Sequence, residues 1–209
     1  MTPIRSLVLT AVASAAGFVA AYSTGTPQPA DPPAAAGGPD MQKAMEAWQA
    51  TMMPGKAHEG LKNWVGKWNT VMKTYMGGPG APPTESKGAA TFEMVLGGRF
   101  VLQKTEGTMM GMPMNGLGLT GYDNGRKLYT GTWCDTMGTA IMTMAGSMSQ
   151  DGKVLTMFGQ MDEPMTGEVG KTVKFVTRQI DKDNFVFEAW EVLYGNDFKA
   201  FEVVYTRAK

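Results

Sequence analysis

The chain lacks most of the side-chain chemistry that enzymes and metal sites use. Its 209 residues include one cysteine, Cys134, and one histidine, His58. Cys134 cannot form an internal disulfide, and with no basic neighbour in sequence it is predicted to be a small buried hydrophobe. A nucleophile elbow, a histidine-rich metal motif and a glycine-rich phosphate loop before a helix are all missing. These absences favour a protein that is not an enzyme and carries no cofactor.

The chain also carries no net charge at pH 7. Lysine plus arginine and aspartate plus glutamate both number 19, and no basic block occurs. This balance argues against a nucleic-acid partner and against binding to anionic membrane surfaces by charge. With 43% hydrophobic residues, the chain can form one core-bearing domain, predicted over residues 56–209, behind an N-terminal extension.

The first 39 residues are predicted to lie outside the fold. Met1–Arg5 is positively charged and Leu7–Ala21 is small and apolar, which is typical of a signal peptide over residues 1–21. An uncleaved inner-membrane anchor is the alternative, because an apolar run of this length is at the lower limit for a span. Residues 22–39 are rich in proline, alanine and glycine and are predicted to be a disordered spacer. We therefore expect an exported protein, periplasmic or secreted.

Evenly spaced turn signals occupy the C-terminal half of the chain. Asn124-Gly125, Asp151-Gly152, Lys182-Asp183 and Gly195-Asn196 each suit a tight hairpin between two stretches with strand character. Sequential hairpins predict an all-β fold, a single up-and-down antiparallel barrel of about ten strands. The strands are expected near residues 67–76, 87–95, 100–109, 116–123, 127–134, 140–148, 154–161, 171–181, 184–193 and 198–206.

Two short helical signals separate the spacer from the strands. Asp40 can cap a helix within residues 40–55 that ends at Pro54-Gly55 and is expected to lie on the barrel. Its apolar residues recur on one face: Met41, Met45, Trp48 and Met52. A second helical turn runs from His58 to Trp64. His58 is predicted to pack near the barrel mouth at this helix start, with a ligand or general base as the alternative.

The turn centres also predict which residues face each other. A loop at Asn124-Gly125 sets Trp133 opposite Gly116 and Gly131 opposite Gly118, so that the indole covers strand glycines with no side chains of their own. A loop at Asp151-Gly152 sets Met144 opposite Gly159. The methionines are therefore predicted to fill gaps in the core.

The last two hairpins predict an inner face with one carboxylate on it. That face comprises Val173, Phe175, Thr177, Val186, Glu188, Trp190, Phe201, Val203 and Tyr205. Glu188 among aromatics either anchors a ligand or only fixes packing. A carboxylate pair of Glu188 and Asp135 also stays open, because their separation is unknown at this point. The residues predicted to line a ligand site are Trp133, Phe175, Thr177, Glu188, Trp190 and Phe201.

Nineteen methionines raise a metal hypothesis. Exported proteins can hold Cu(I) with thioether ligands, but such sites usually add histidine or cysteine, and none lies inside the densest cluster. Core filling is the preferred interpretation and copper the alternative. The cluster that would bind copper comprises Met109, Met110, Met112 and Met114.

Four stretches together resemble a known family. They are HEGLKNWVGKW from His58, GGRFVLQ from Gly97, GMPMNGLGLTGYDNGRKLYTGTWCDTMGTAI from Gly111 and MDEPMTGE from Met161. Over roughly residues 57–207 the chain resembles the bacterial domain-of-unknown-function family 1579, although it is unusually rich in methionine. The resemblance implies a lipocalin-like barrel and transfers no active site.

These observations support a ranking of functions. The leading hypothesis is an exported, non-enzymatic barrel that binds a small, mostly apolar molecule in its interior. The principal rival is a packed envelope or structural barrel with no ligand. A methionine-rich periplasmic copper protein is the second alternative. Any membrane contact is expected only through an uncleaved N-terminal segment.

Overall fold

The protein is a closed barrel of ten antiparallel strands in sequential order, so the predicted fold class is confirmed. The computed structural model describes residues 40–75, 77, 81–163, 166–193 and 196–209. The predicted signal peptide and spacer, residues 1–39, lie outside the described residues. Within the described ranges, no helix is both long and apolar enough to cross a membrane.

Two α-helices and one 3₁₀ helix precede the strands. The helices are α1 (Met41–Met52), α2 (Lys56–Leu61) and η1 (Lys62–Trp64). The strands are β1 (Gly66–Thr74), β2 (Thr84–Val95), β3 (Phe100–Met109), β4 (Met112–Asp123), β5 (Leu128–Asp135), β6 (Met142–Met148), β7 (Val154–Glu163), β8 (Glu168–Gln179), β9 (Asn184–Leu193) and β10 (Asn196–Arg207). Each strand pairs with its neighbours in sequence, and β10 returns to pair with β1. Closure leaves no unpaired sheet edge.

One end of the barrel is closed by α2 and η1. Leu61 and Trp64 are buried there, and the Trp64 ring lies 6.4 Å from the ring of Phe185 on β9. The indole N–H of Trp68 on β1 donates to the carbonyl oxygen of Trp64 at 2.8 Å. We call this the plugged end. Its helices replace water over the inner aromatic residues and so complete the core.

His58 belongs to this plug. Its Nδ1 accepts a hydrogen bond from the backbone N–H of Gly55 at 3.0 Å, which satisfies a donor at the start of α2. Its ring meets the Tyr122 ring edge-on at a centroid distance of 5.9 Å. The prediction of a packed helix-start histidine at one end of the barrel is therefore confirmed. The alternative role as ligand or base finds no support in this packing.

The core is concentrated in the plugged half. The ring of Phe185 stacks on Tyr205 at 4.2 Å and meets Trp68 edge-on at 4.7 Å. Burial raises the pKa of the Tyr205 hydroxyl to about 12, although that hydroxyl accepts a hydrogen bond from Gln103. The guanidinium of Arg207 lies 4.2 Å from the Trp68 ring and donates to backbone carbonyls of the plug, including that of Val65. These contacts link the plug to β1 and β10, the first and last strands of the barrel.

The prediction that α1 lies on the barrel is wrong. None of its residues is buried, and Trp48 is 59% exposed. The last turn bonds to the barrel: Arg99 donates twice to the carbonyl oxygen of Met52, and Asn124 donates to that of Met53. These bonds satisfy orphan carbonyls at the helix C-terminus. The helix ends before Pro54, as predicted.

The strand pairing from β4 to β7 agrees with the predicted faces. Trp133 lies opposite Gly118, two residues from the predicted pairing, because the loop spans Asn124–Lys127 and is stabilised by the Asp123 carboxylate. A shift of two leaves every side chain on its predicted face. The β6–β7 register is confirmed, since Met144 lies opposite Gly159.

The prediction for β9 is wrong by one residue. Thr177 pairs with Phe187 and not with Glu188, and Phe175 pairs with Ala189. Phe185, Phe187 and Ala189 therefore face the interior, whereas Val186, Glu188 and Trp190 face outward. The predicted inner faces of β8 and β10 are correct.

Candidate functional site

Inward side chains in the half of the barrel away from the plug are less buried than those in the plugged half. Among the described residues, the end of the barrel away from α2 carries only turns and loops. The inward aromatic residues near this end are half-buried, whereas Trp68, Phe92 and Phe185 near the plug are buried. We call this less buried half of the interior the cup. Its apolar lining comprises Trp133, Met142, Met161, Phe187, Phe201 and Val203.

An ion pair stands at the rim of the cup. Lys171 lies on the same face of β8 as the buried Val173, and Glu191 pairs across from Val173 on β9. The Lys171 Nζ is 2.9 Å from a Glu191 carboxylate oxygen, and the two side chains are 12% and 22% exposed. The hydrogen bond to Glu191 raises the pKa of Lys171, against the opposing effect of burial. On β8 and β9, this ion pair adds charge to a cup that is otherwise lined by apolar side chains.

Trp133 is held in a fixed orientation within the cup. Its indole N–H donates to the Asp135 carboxylate at 2.7 Å, and the other Asp135 oxygen accepts the N–H of Met137 at 2.9 Å. The indole covers Gly116 and Gly118, where a Cβ atom would collide with it. The glycines thus make room for a flat aromatic wall on this side of the cup.

Four of the six predicted site residues face the interior, and two of these four lie in the cup. Trp133, Phe175, Thr177 and Phe201 face the interior, although Phe175 and Thr177 belong to the buried plugged half. Glu188 and Trp190 lie on the outer face. The cause is the β8–β9 loop, which joins Gln179 to Phe185 and is centred on Lys182 alone. The Asp181 carboxylate stabilises that loop by accepting from the backbone of Asp183 and the amide of Asn184.

On the outer face, Glu188 belongs to a mixed cluster of charges and aromatics. Its carboxylate lies 3.3 Å from Lys199 Nζ and 3.8 Å from Arg178, and it accepts the indole N–H of Trp190 at 3.4 Å. Glu202 is directly opposite on β10. Burial alone would lower the pKa of Lys199, but its hydrogen bonds to Glu202 and Glu188 outweigh this and raise it. Glu188 is thus a paired wall residue and lies outside the cup.

The remaining sequence candidates do not form one site. Glu188 lies on the outer face, whereas Asp135 shares the inward face of Trp133, so a joint carboxylate pair is ruled out by the strand faces. Met114 is buried, while Met110 and Met112 at the β3–β4 turn are largely exposed. Cys134, predicted to be buried, is half-buried opposite Leu117 on the outer face. Among the described residues, no group of three or more His, Cys, Asp or Glu could hold a metal ion.

Sequence reasoning missed Lys171, Glu191 and Phe187 as inner residues. The one-residue register error that placed Glu188 on the predicted inner face also left Glu191 out of that face. The prediction that Glu188 faces the interior is therefore wrong, and the carboxylate that β9 turns inward is Glu191. Alternation could not have found it, because apolar residues occur on both faces of β9.

The fold and the cup together define a closed ten-stranded antiparallel barrel with one plugged end and one apolar, charged-rim end. The model of DUF1579, described as a protein of unknown function, matches residues 53–207. The chain belongs to this family, and the resemblance inferred from its motifs is confirmed.

A solved structure supports the fold. The crystal structure of Rv2717c from M. tuberculosis is similar, with a TM-score of 0.53 and 16% sequence identity, over 75% of this chain and 100% of that chain. A redesigned beta barrel aligns over 72% of this chain and 96% of its own, at 14% identity and a TM-score of 0.38. A search of curated proteins finds no significant match.

Proposed function

We propose that this protein is an exported, non-enzymatic barrel that binds a small, mostly apolar molecule in the cup. The observation that carries the proposal is the half-buried state of Phe187, Phe201 and Trp133, which face inward beside a plugged half whose aromatics are buried. Apolar lining with a few placed polar groups is the usual composition of a small-molecule site. Export rests on the sequence of residues 1–21 alone.

The polar part of the site is assigned to Lys171 and Glu191. Their pairing across the rim leaves the cup with both a cationic donor and an anionic acceptor at hydrogen-bond distance of each other. One polar group of a bound molecule can hydrogen-bond to Lys171 or Glu191 in place of the other residue. The apolar part of the molecule then replaces water over Phe187 and Phe201. The rim ion pair therefore orients the bound molecule, and the apolar lining supplies most of its binding free energy.

Filling the cup tests the proposal. Val203→Trp places a large ring inside the cup, and Val204→Trp is the matched control, since Val204 faces outward opposite Val186 and Val71. We expect Val203→Trp to weaken binding of the fluorophore anilinonaphthalene sulfonate by at least about tenfold, because one lost apolar contact of 1.4 kcal/mol is tenfold in affinity. Val204→Trp should leave binding unchanged.

Native mass spectrometry of the protein from its own envelope is the companion measurement. A retained apolar molecule that is lost in Val203→Trp supports the cup. Equal probe binding by wild type and both variants, with no molecule retained, would instead favour the packed structural barrel. Stoichiometric copper would favour the methionine alternative. Thermal unfolding of each variant checks that overpacking has not removed the fold.

The rim pair gives a second prediction with a definite sign. Glu191→Gln removes the nearest carboxylate from the Lys171 cation and leaves Glu168, at 3.7 Å, and the more distant Glu163 as the acidic groups beside it. An anionic fluorophore in the cup should then bind about fivefold more tightly, since a partly exposed ion pair contributes on the order of 1 kcal/mol. Fluorescence titration measures this directly.

The control for the rim pair lies three residues away on the same strand. Glu188→Gln removes the same charge from the outer face, so it should leave probe affinity unchanged. If Glu188→Gln tightens binding and Glu191→Gln does not, the β9 register and the assigned cup are both incorrect.

A further inference from the structure

The loops at the two ends of the barrel differ in charge. Since β1 starts at the plug and the strands alternate in direction, every second connection, beginning with β1–β2, lies at the cup end. By sequence, the five cup-end connections contain no Asp, Glu, Lys or Arg; they are residues 75–83, 110–111, 136–141, 164–167 and 194–195. Each of the four plug-end connections contains at least one; they are residues 96–99, 124–127, 149–153 and 180–183. The barrel is therefore polarised along its axis.

Exposed apolar side chains lie beside the uncharged loops. Among the described residues, five such side chains within two positions of these loops are between 44% and 81% exposed, and they belong to four different hairpins. We call them the crown: Met110, Met112, Ile141, Val169 and Val192. Leu96 and Ile180 are also exposed at the plugged end, but charged residues share both of their loops. Single exposed apolar residues are ordinary, whereas their recurrence around one uncharged end indicates a contact surface.

A collar of mostly acidic residues lies directly behind the crown. Within two positions of the cup-end loops, the sequence has one basic residue, Lys73, and six acidic ones: Glu85, Asp135, Asp162, Glu163, Glu168 and Asp197. Two positions along a strand correspond to about 7 Å, at roughly 3.4 Å per residue. The rim pair of Lys171 and Glu191 adds one charge of each sign. An apolar layer is thus followed by a layer of net negative charge.

A lipid bilayer with zwitterionic headgroups matches both layers. The acyl region accepts apolar side chains, and such groups of peripheral proteins lie about 5–10 Å into the boundary between headgroups and acyl chains. The outermost charge of a phosphatidylcholine or phosphatidylethanolamine headgroup is an ammonium group, which the acidic collar attracts. An anionic bilayer would repel the same collar. A protein partner would need a fitted pocket for side chains on four separate hairpins, whereas fluid acyl chains adapt to any spacing.

We propose that the cup end of the barrel docks on a zwitterionic lipid bilayer, with the crown inserted among the acyl chains and the collar at the level of the headgroup ammonium groups. The plugged end and its charged loops stay in water. This contact differs from the sequence-based expectation that the N-terminal segment alone reaches a membrane. One consequence rests on the proposed function: the cup then faces the bilayer, in which a mostly apolar ligand is concentrated.

Cosedimentation of the full chain with phosphatidylcholine vesicles tests the docking. Ile141→Glu in the crown has a matched control in Ile180→Glu, because the two isoleucines are 70% and 56% exposed at opposite ends of the barrel. We expect Ile141→Glu to lower the vesicle partition coefficient at least about tenfold, since a carboxylate resists transfer out of water. Ile180→Glu should stay within about twofold of wild type. Adding Met110→Glu to Ile141→Glu should lower partitioning by roughly another tenfold, because distant sites act additively.

Two further measurements separate the crown from other surfaces. Trp48→Glu alters the exposed face of α1, which is bonded to Arg99 and Asn124 at the plugged end, and it should bind vesicles as wild type. Adding phosphatidylglycerol to the vesicles should weaken binding, because the collar is acidic. The proposal is overturned if wild type does not bind, if Trp48→Glu loses binding while Ile141→Glu keeps it, or if all variants bind equally through the N-terminal segment. Stronger binding to the anionic vesicles, or a crown-dependent oligomer in sedimentation velocity, would also overturn it.

Val203→Trp distinguishes failure of the docking from failure of the proposed function. This change fills the cup and leaves the crown intact, so vesicle binding should stay within about twofold of wild type. If Ile141→Glu loses vesicle binding while Val203→Trp keeps full binding of the fluorophore, the crown is supported and the ligand cup is rejected. If Val203→Trp loses the fluorophore while Ile141→Glu binds vesicles as wild type, the cup is supported and the crown is rejected.

Discussion

Trp68→Ala is expected to lower the free energy of unfolding by about 3–5 kcal/mol, the range for deleting a large buried aromatic side chain. Trp68 is 1% exposed and sits where β1 meets the plug. Its loss removes the edge contact with Phe185, the hydrogen bond to the Trp64 carbonyl and the platform for Arg207. The carbonyl of Trp64 then stays buried without this donor, which adds to the cavity term.

The measurement is urea unfolding followed by circular dichroism, with hydrogen exchange of the α2 amides as a local probe. Trp68→Phe is the graded variant: it retains most of the volume but not the N–H, so we expect an intermediate loss. The amides of α2 should exchange faster in Trp68→Ala, because the plug loses its main contact with the wall. A loss below about 1 kcal/mol would show that the plug does not depend on Trp68.

The accuracy of the sequence-based register depended on whether each loop error was even or odd. At the β4–β5 turn, the Asp123 carboxylate accepts from Gly125 and Arg126 and lengthens the loop by two residues. The faces of β5 were still correct, because side chains alternate with a period of two. At the β8–β9 turn the error was one residue, and every side chain of β9 changed face.

Hydrophobic alternation could not correct the β9 error. Phe185, Phe187 and Ala189 face inward, but Val186, Trp190 and Val192 on the outer face are also apolar. The outer positions are explained by tertiary contacts that a single sequence does not reveal, such as Lys174 and Lys199 over the Trp190 ring. A bulge between Lys199 and Phe201 then returns β10 to its predicted face.

In the helical region as well, the sequence predicted local features correctly but not the tertiary packing. Periodicity correctly predicted the apolar face of α1 and its end before Pro54, because capping and amphipathicity are local. Which surface covers that face is a tertiary question, and the expected answer, its own barrel, was wrong. The plug formed by α2 was predicted only as a helical turn, although it decides which half of the interior holds the fully buried core.

Gly146→Val is expected to destabilise the barrel by at least about 3 kcal/mol, at or beyond the upper end of ordinary overpacking. Gly146 pairs directly with Met157, and a Cβ atom at this position would lie 2.6 Å from the Met157 Cα and closer still to the Thr156 carbonyl oxygen. These are backbone atoms, so β6 and β7 would have to separate. Strand propensity alone predicts the opposite sign, because valine favours strands and glycine weakens them.

Ser147→Val is the matched control for this change. Ser147 is the next residue along β6, faces outward and is exposed, so the same valine should change stability by no more than about 0.5 kcal/mol. Urea unfolding of both variants compares one side chain on the two faces of one strand. Because β7 also carries Met161 of the cup, strand separation in Gly146→Val should weaken probe binding as well. A Gly146→Val protein as stable as Ser147→Val would show that β6 and β7 lie farther apart than described.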